Sequence, residues 1–152
     1  MNAKVIFDDM IRMFSDQGFS PRINENADEI FVNAPLNHIY EKIALFVHFY
    51  TGYYTVDAYL PTQSDKKDIR HELLQLCNLI NYNSHFGCLS IDDNCRVCYR
   101  YAVSYDEATE KNVRESIYLP CYTLNRSSLA FSGVMKGAAA EEVFDSVFNE
   151  IK

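Results

Sequence analysis

Asn94-Cys95-Arg96-Val97-Cys98-Tyr99-Arg100 (NCRVCYR) carries two cysteines three positions apart, and its reading decides the fold. As a turn it is half of a zinc knuckle or a thioredoxin-like redox site. As a strand it belongs inside a sheet. Strand side chains alternate between faces, so Cys95, Val97, Tyr99, Tyr101 and Val103 share one face, and Arg96, Cys98, Arg100, Ala102 and Ser104 the other. Cys95 and Cys98 then point to opposite sides, and cannot share a zinc ion or a disulfide without destroying the strand. A zinc site also needs a second pair, and Cys88 and Cys121 offer no such spacing. The reading is a strand over residues 95–104 with structural thiols.

Outward from this strand the pattern is a mixture of periods. Residues 86–91 read as a partner strand, joined through the turn Asp92-Asp93-Asn94. Before it, Ile69, Leu73, Leu76 and Ile80 recur at helical spacing. That helix runs to about Asn83, with Ser64 as its N-cap and Asp65 in its first turn. Earlier still, Ile43, Leu45, Val47 and Phe49 alternate with Lys42, Ala44, Phe46 and His48 over residues 39–50. Thr51-Gly52 turns the chain into residues 53–60, where Tyr54, Val56, Ala58 and Leu60 share a face. With residues 29–34 these make a three-stranded antiparallel meander. Residues 3–17 form a leading helix, with Ile6, Met10, Met13 and Phe14 on one face and Gly18 as its stop. Ser20-Pro21 begins an extended segment.

After the second strand pair a helical region starts near Glu107, with Val113, Ile117, Cys121 and Leu124 in register. Pro120 either kinks one helix there or starts a second. Gly133 to Gly137 forms a break, and residues 138–151 make a last helix with Ala140, Val143, Phe144, Val147, Phe148 and Ile151 on one stripe. The expected fold is α+β, an antiparallel sheet with helices on one face, in the order α-β-β-β-α-β-β-α(α). The 152 residues fit a single domain spanning 1–152.

Composition narrows the function classes. The net charge is −7 with a pI near 5.0, and no basic run appears. Binding to a nucleic-acid backbone needs clustered cations, so neither DNA nor RNA is the expected partner, and anionic membrane surfaces are disfavoured likewise. No apolar run approaches the roughly 20 residues that span a bilayer. Five cysteines, an odd number, read as reduced thiols of a cytoplasmic protein.

The catalytic motifs fail on inspection. His71-Glu72-Leu73-Leu74-Gln75 begins like HExxH but ends on Gln75, so the pair reads as an exposed polar pair on the wet face of its helix. Ser64 to Lys67 has SxxK spacing but lacks the accompanying motifs, and helix capping explains Ser64. Asp92-Asp93 lacks the rest of a calcium loop. Asp106-Glu107 and Glu141-Glu142 suit helix starts. His38, His48, His71 and His85 show no i, i+4 pairing and read as rim or surface residues. No metal site, cofactor site or catalytic residue is expected.

One surface resists a purely structural explanation. The sheet face away from the helices carries Phe46, His48, Tyr53, Tyr59, Arg96 and Arg100. Aromatics mixed with arginine are what protein interfaces favour, although cross-strand aromatic pairing alone produces such a set. Edge strands of the sheet could also accept a peptide strand.

The blocks Asn78-Leu79-Ile80-Asn81, Gly87-Cys88-Leu89-Ser90-Ile91-Asp92 and Arg96-Val97-Cys98-Tyr99-Arg100-Tyr101, with Leu129 to Val143 (LAFSGVMKGAAAEEV), give a further lead. Together they resemble the YbjN family, bacterial proteins described as candidate sensory transduction regulators. The resemblance covers most of residues 64–151. It implies a fold similar to type III secretion chaperones, which are small acidic homodimers that hold extended client segments, although this chain has extra helical sequence after Asn125. It transfers no catalytic residue. The expectation is therefore a non-catalytic, chaperone-like or regulatory protein-binding module, homodimeric and cytoplasmic, that captures a protein segment on the aromatic face or an edge strand. A dedicated secretion chaperone for one client is the second expectation. An enzyme with a site assembled around His48 and Asp57 is the third.

Overall fold

A computed structural model describes residues 1–24, 26, 28–35, 40–84 and 87–148. The expectations placed on His38, Ile39, His85, Phe86 and Ile151 lie outside the described residues. The chain runs α1 (Ala3–Asp16), β1 (Arg22–Asn24), β2 (Glu29–Pro35), β3 (Lys42–Phe49), β4 (Tyr53–Tyr59), α2 (Lys67–Tyr82), β5 (Cys88–Ile91), β6 (Val97–Ser104), α3 (Glu110–Met135) and α4 (Ala140–Phe148). The six strands form one sheet in the order β1-β2-β3-β4-β6-β5, and every pairing is antiparallel. This is the expected α+β arrangement with helices on one face. It has one strand more than expected, because the extended segment after Pro21 adds β1 at the sheet edge.

α1 begins at Asn2, whose Oδ1 accepts from the Val5 amide at 3.0 Å. It ends in a Schellman motif. The Gly18 amide donates to the Ser15 carbonyl and the Phe19 amide to the Phe14 carbonyl, both at 3.0 Å, with Gly18 at φ +84°. The accompanying apolar contact is Phe14 against Phe19, ring centroids 6.4 Å apart. Ile6, Met10 and Phe14 are buried on the sheet, each burial stabilising by about 2 kcal/mol.

The sheet's inner face carries Ile30, Val32, Ile43, Leu45, Val47, Val56, Val97 and Tyr99, all buried. α2 adds Leu73, Leu76 and Ile80, and α3 adds Leu124, Phe131 and Val134. Among the described residues, no helix is long and apolar enough to cross a membrane.

Several local expectations change. Ser64 does not cap α2, which starts at Lys67. Its Oγ accepts from the Lys66 amide at 3.1 Å and its own amide donates to the Asn94 carbonyl at 3.2 Å, so Ser64 and the neighbouring Asp65 belong to a connection held against the β5–β6 turn. Cys95 stands before β6 in the left-handed region, φ +64°. Its side chain is buried in the main core, whereas Cys98 is buried on the opposite sheet face. The two thiols are separated as expected, by a turn as well as by alternation.

Pro120 neither ends nor divides α3, a single helix of 26 residues. The intrahelical bond to the Ser116 carbonyl is lost there, but Pro120 is buried and packing carries the helix across it. α3 starts at Glu110, where the Thr109 hydroxyl accepts from the Asn112 amide at 3.2 Å, so Asp106-Glu107 lie in the preceding turn. Gly133 is helical, and a Cβ there would lie 2.7 Å from Val143 Cγ1, which makes it the point where α4 seats against α3. Glu72 is not on a wet face. Its Oε2 accepts from the Ala140 amide at 2.7 Å and caps α4.

Candidate functional site on the open sheet face

The strand registers align one row of outward side chains across all six strands: Arg22, Phe31, Phe46, Asp57, Arg100 and Cys88. A second row reads Asn33, Ala44, Tyr59, Cys98 and Ser90, and a third Glu29, His48, Thr55 and Ala102. The alternation of each strand produces this face, since its partner set fills the core. The structure therefore brings Phe46, His48, Tyr53, Tyr59 and Arg100 to one side of the sheet. Arg96 joins them from the turn before β6, its guanidinium carbon 4.8 Å from the centroid of the Tyr59 ring. Its Nε donates to Asp92 Oδ2 at 2.7 Å, which holds it there.

The aromatics form a connected band. Phe31 and Phe46 lie 4.8 Å apart between centroids, Phe46 and Tyr59 meet edge-on at 5.7 Å, and Phe46 and His48 stack at 6.1 Å. At the hairpin end Tyr53 stacks on Tyr50 at 4.8 Å. Such pairs add about 0.5–1.5 kcal/mol each beyond area burial.

At the centre sits a charge. Asp57 is 1% exposed. Arg100 closes over it with two parallel hydrogen bonds, Nε to Oδ1 at 2.7 Å and Nη2 to Oδ2 at 2.8 Å. His48 stands beside the pair, Nδ1 at 3.2 Å from Glu29 Oε2 and Nε2 at 3.9 Å from Asp57 Oδ2. The Thr55 hydroxyl, in the His48 row, is buried without a hydrogen-bond partner among the described residues.

Two nucleophile candidates on this face, Cys98 and Tyr59, are held protonated. Burial, then the neighbouring Asp57, pushes the Cys98 thiol up to about 11. Burial, then Cys98 and Asp57, pushes the Tyr59 hydroxyl up to about 12. Hydrogen bonding to Asp57 drives the Arg100 guanidinium further up. His48 and Asp57 do come together, but both Asp57 oxygens are engaged by Arg100. No group of three or more metal-ligating side chains occurs among the described residues.

Sequence reasoning missed Phe31 on this face and the pairing of Asp57 with Arg100, while it placed Cys98 on the Arg100 side of its strand. The alternation of Glu29, Phe31 and Asn33 carried the signal for Phe31. The Asp57–Arg100 pair depends on a register between residues 43 apart in the chain.

The sequence matches no family model and no curated protein. Among solved structures it is similar to the crystal structure of YbjN from E. coli, described as a candidate transcription regulator. The TM-score is 0.55 at 13% identity, over 80% of this chain and 90% of that one. The fold is YbjN-like. At this identity the likeness is one of architecture, and it agrees with the resemblance carried by the NLIN, GCLSID and RVCYRY blocks. Of these, the YbjN-like chain uses Asn81 structurally. Its side-chain Oδ1 accepts from the Leu89 amide at 2.7 Å and its Nδ2 donates to the Leu89 carbonyl at 2.9 Å. Asn81 thus stands in for a neighbouring strand along the outer edge of β5.

Proposed function

We propose that this chain is a non-catalytic regulatory module that binds an extended segment of a protein partner on the open sheet face. The observation that carries the reading is the continuous band of Phe31, Phe46, Tyr59, Arg96 and Arg100, fixed by the Asp57 pair on a face that none of the described helices covers. Aromatics and arginine are the residues that dominate interface energetics. Side chains already locked by ion pairs and stacking lose little freedom when a partner arrives. Edge addition is the weaker route, since Asn81 occupies the β5 edge and β1 has only three residues.

The candidate regulatory role of YbjN fits this reading through protein contacts rather than DNA. A chain of net charge −7 lacks the cation cluster that duplex binding requires. The five free thiols fit a reducing compartment, and the cytoplasm is the setting we propose, with the module acting as a homodimer.

The test compares tagged full-length protein with the Tyr53→Ser/Tyr59→Ser double variant in capture from the native cytosol. Tyr82→Ser serves as control, since Tyr82 is 89% exposed on α2. The reading expects a stoichiometric protein partner that the double variant loses and the control keeps, with unchanged melting. A partner retained by the double variant, or turnover of a bound small molecule that is lost in His48→Ala, defeats it.

A further inference from the structure

On the helix side of the sheet, apart from the aromatic face, a groove of about 540 Å³ runs between α1, α3 and the ends of β2 and β3. Phe14 and Leu45 form its floor, and Met13, Phe19, Ile117 and Cys121 its walls. The size lies within the roughly 300–1,000 Å³ of small-molecule sites.

The charged groups that line the groove all come from α3, and Gln17 of the α1 C-cap adds a neutral polar one. Along α3, Lys111, Arg114 and Glu115 line the end nearest the helix N-terminus, and Ile117, Tyr118 and Cys121 follow. From Lys111 to Cys121 the helix advances roughly 15 Å. The cations there are weakly committed. Arg114 meets Glu110 at 3.9 Å with side chains 69% and 82% exposed, and Lys111 meets Glu115 at 3.7 Å. Such solvated pairs are worth little and exchange readily. The N-terminal end of α3 adds the positive pole of its dipole.

We propose that this groove binds a single-chain amphipathic carboxylate of the fatty-acid class. The tail lies against Phe14, Leu45 and Ile117, and the carboxylate meets Arg114 and Lys111. A peptide fits less well, because it would bring a backbone donor and acceptor per residue to walls that are largely apolar. A cationic amphiphile would find one carboxylate, Glu115, against two like charges, and a neutral one gains nothing from the charged end.

The test titrates sodium laurate, below its micelle threshold, into the full chain, read by calorimetry and by methyl NMR. Saturable one-to-one binding is expected, with shifts centred on Met13, Leu45 and Ile117. Dodecyltrimethylammonium, with the same tail and opposite charge, should bind at least about tenfold more weakly. Arg114→Glu, an exposed change, should weaken laurate by a similar factor. Absence of saturable laurate binding, shifts centred on another surface, or equal affinity for the cationic amphiphile would overturn the proposal. The aromatic-face variants should leave laurate affinity unchanged, so this site and the protein-binding face fail or stand separately.

Discussion

Asp57 on β4 and Arg100 on β6 stand directly opposite each other, and their side chains close a two-pronged ion pair at 2.7 and 2.8 Å in the middle of the open face. The Asp57 side chain is 2% exposed and the Arg100 side chain 59%. Water reaches one partner and not the other.

That asymmetry predicts the effect of breaking the pair. Arg100→Ala leaves a buried carboxylate without its main partner and should destabilise the protein by about 1–3 kcal/mol. This is less than for a fully buried pair, because solvent already screens the arginine. Asp57→Asn/Arg100→Ala should cost less than the sum of the single changes. Urea unfolding of the four proteins measures this, and an Arg100→Ala protein as stable as the parent would refute it.

Asn81 predicts a second effect. Asn81→Ala removes both hydrogen bonds to Leu89 and uncovers the outer edge of β5. A loss of about 1–2 kcal/mol is expected, together with concentration-dependent self-association, since a bare edge invites pairing. Light scattering over a dilution series reads the second effect. A monodisperse Asn81→Ala protein with native stability would show that Asn81 does not protect the edge.

The thiols predict a pH dependence. Burial raises Cys77 to about 12 and Cys98 and Cys121 to about 11, from an ordinary value of 9.0. Their folded values lie above the unfolded ones, so the native state holds protons that the unfolded chain releases. The associated stability is whole below about pH 9 and declines as pH rises towards about 11–12. Tyr54, raised to about 12 by burial, acts in the same direction above about pH 10. Unfolding midpoints should therefore fall on the alkaline side. At neutral pH a chromogenic disulfide reagent should modify exposed Cys88 quickly, half-buried Cys121 slowly, and buried Cys77, Cys95 and Cys98 only after unfolding. Fast reaction of a second thiol in the native protein would contradict this.

The legible parts of the fold were those where a period repeats long enough to dominate. The β3–β4 hairpin shows itself by strict alternation on both sides of Thr51-Gly52. α2 shows itself by Ile69, Leu73, Leu76 and Ile80. The aromatic face was legible for the same reason, since Phe46, His48, Tyr53, Tyr59 and Arg100 are the complement of the core set. β1 was not, because three residues carry no period. Pro120 left one helix or two open, and the structure keeps one because its local cost is offset by contacts that α3 makes with the rest of the fold.

Sequence alone determined which residues turn inward and which outward, because side-chain alternation and helical period are properties of the local backbone. Tertiary structure alone decided which outward residues meet. Register set Asp57 against Arg100, the return of α2 alongside β5 set Asn81 against Leu89, and the packing of α4 turned Glu72 into its cap. These contacts join residues 43, 8 and 68 apart in the chain, and in each case only the assembled sheet and helix layer fix distance and direction.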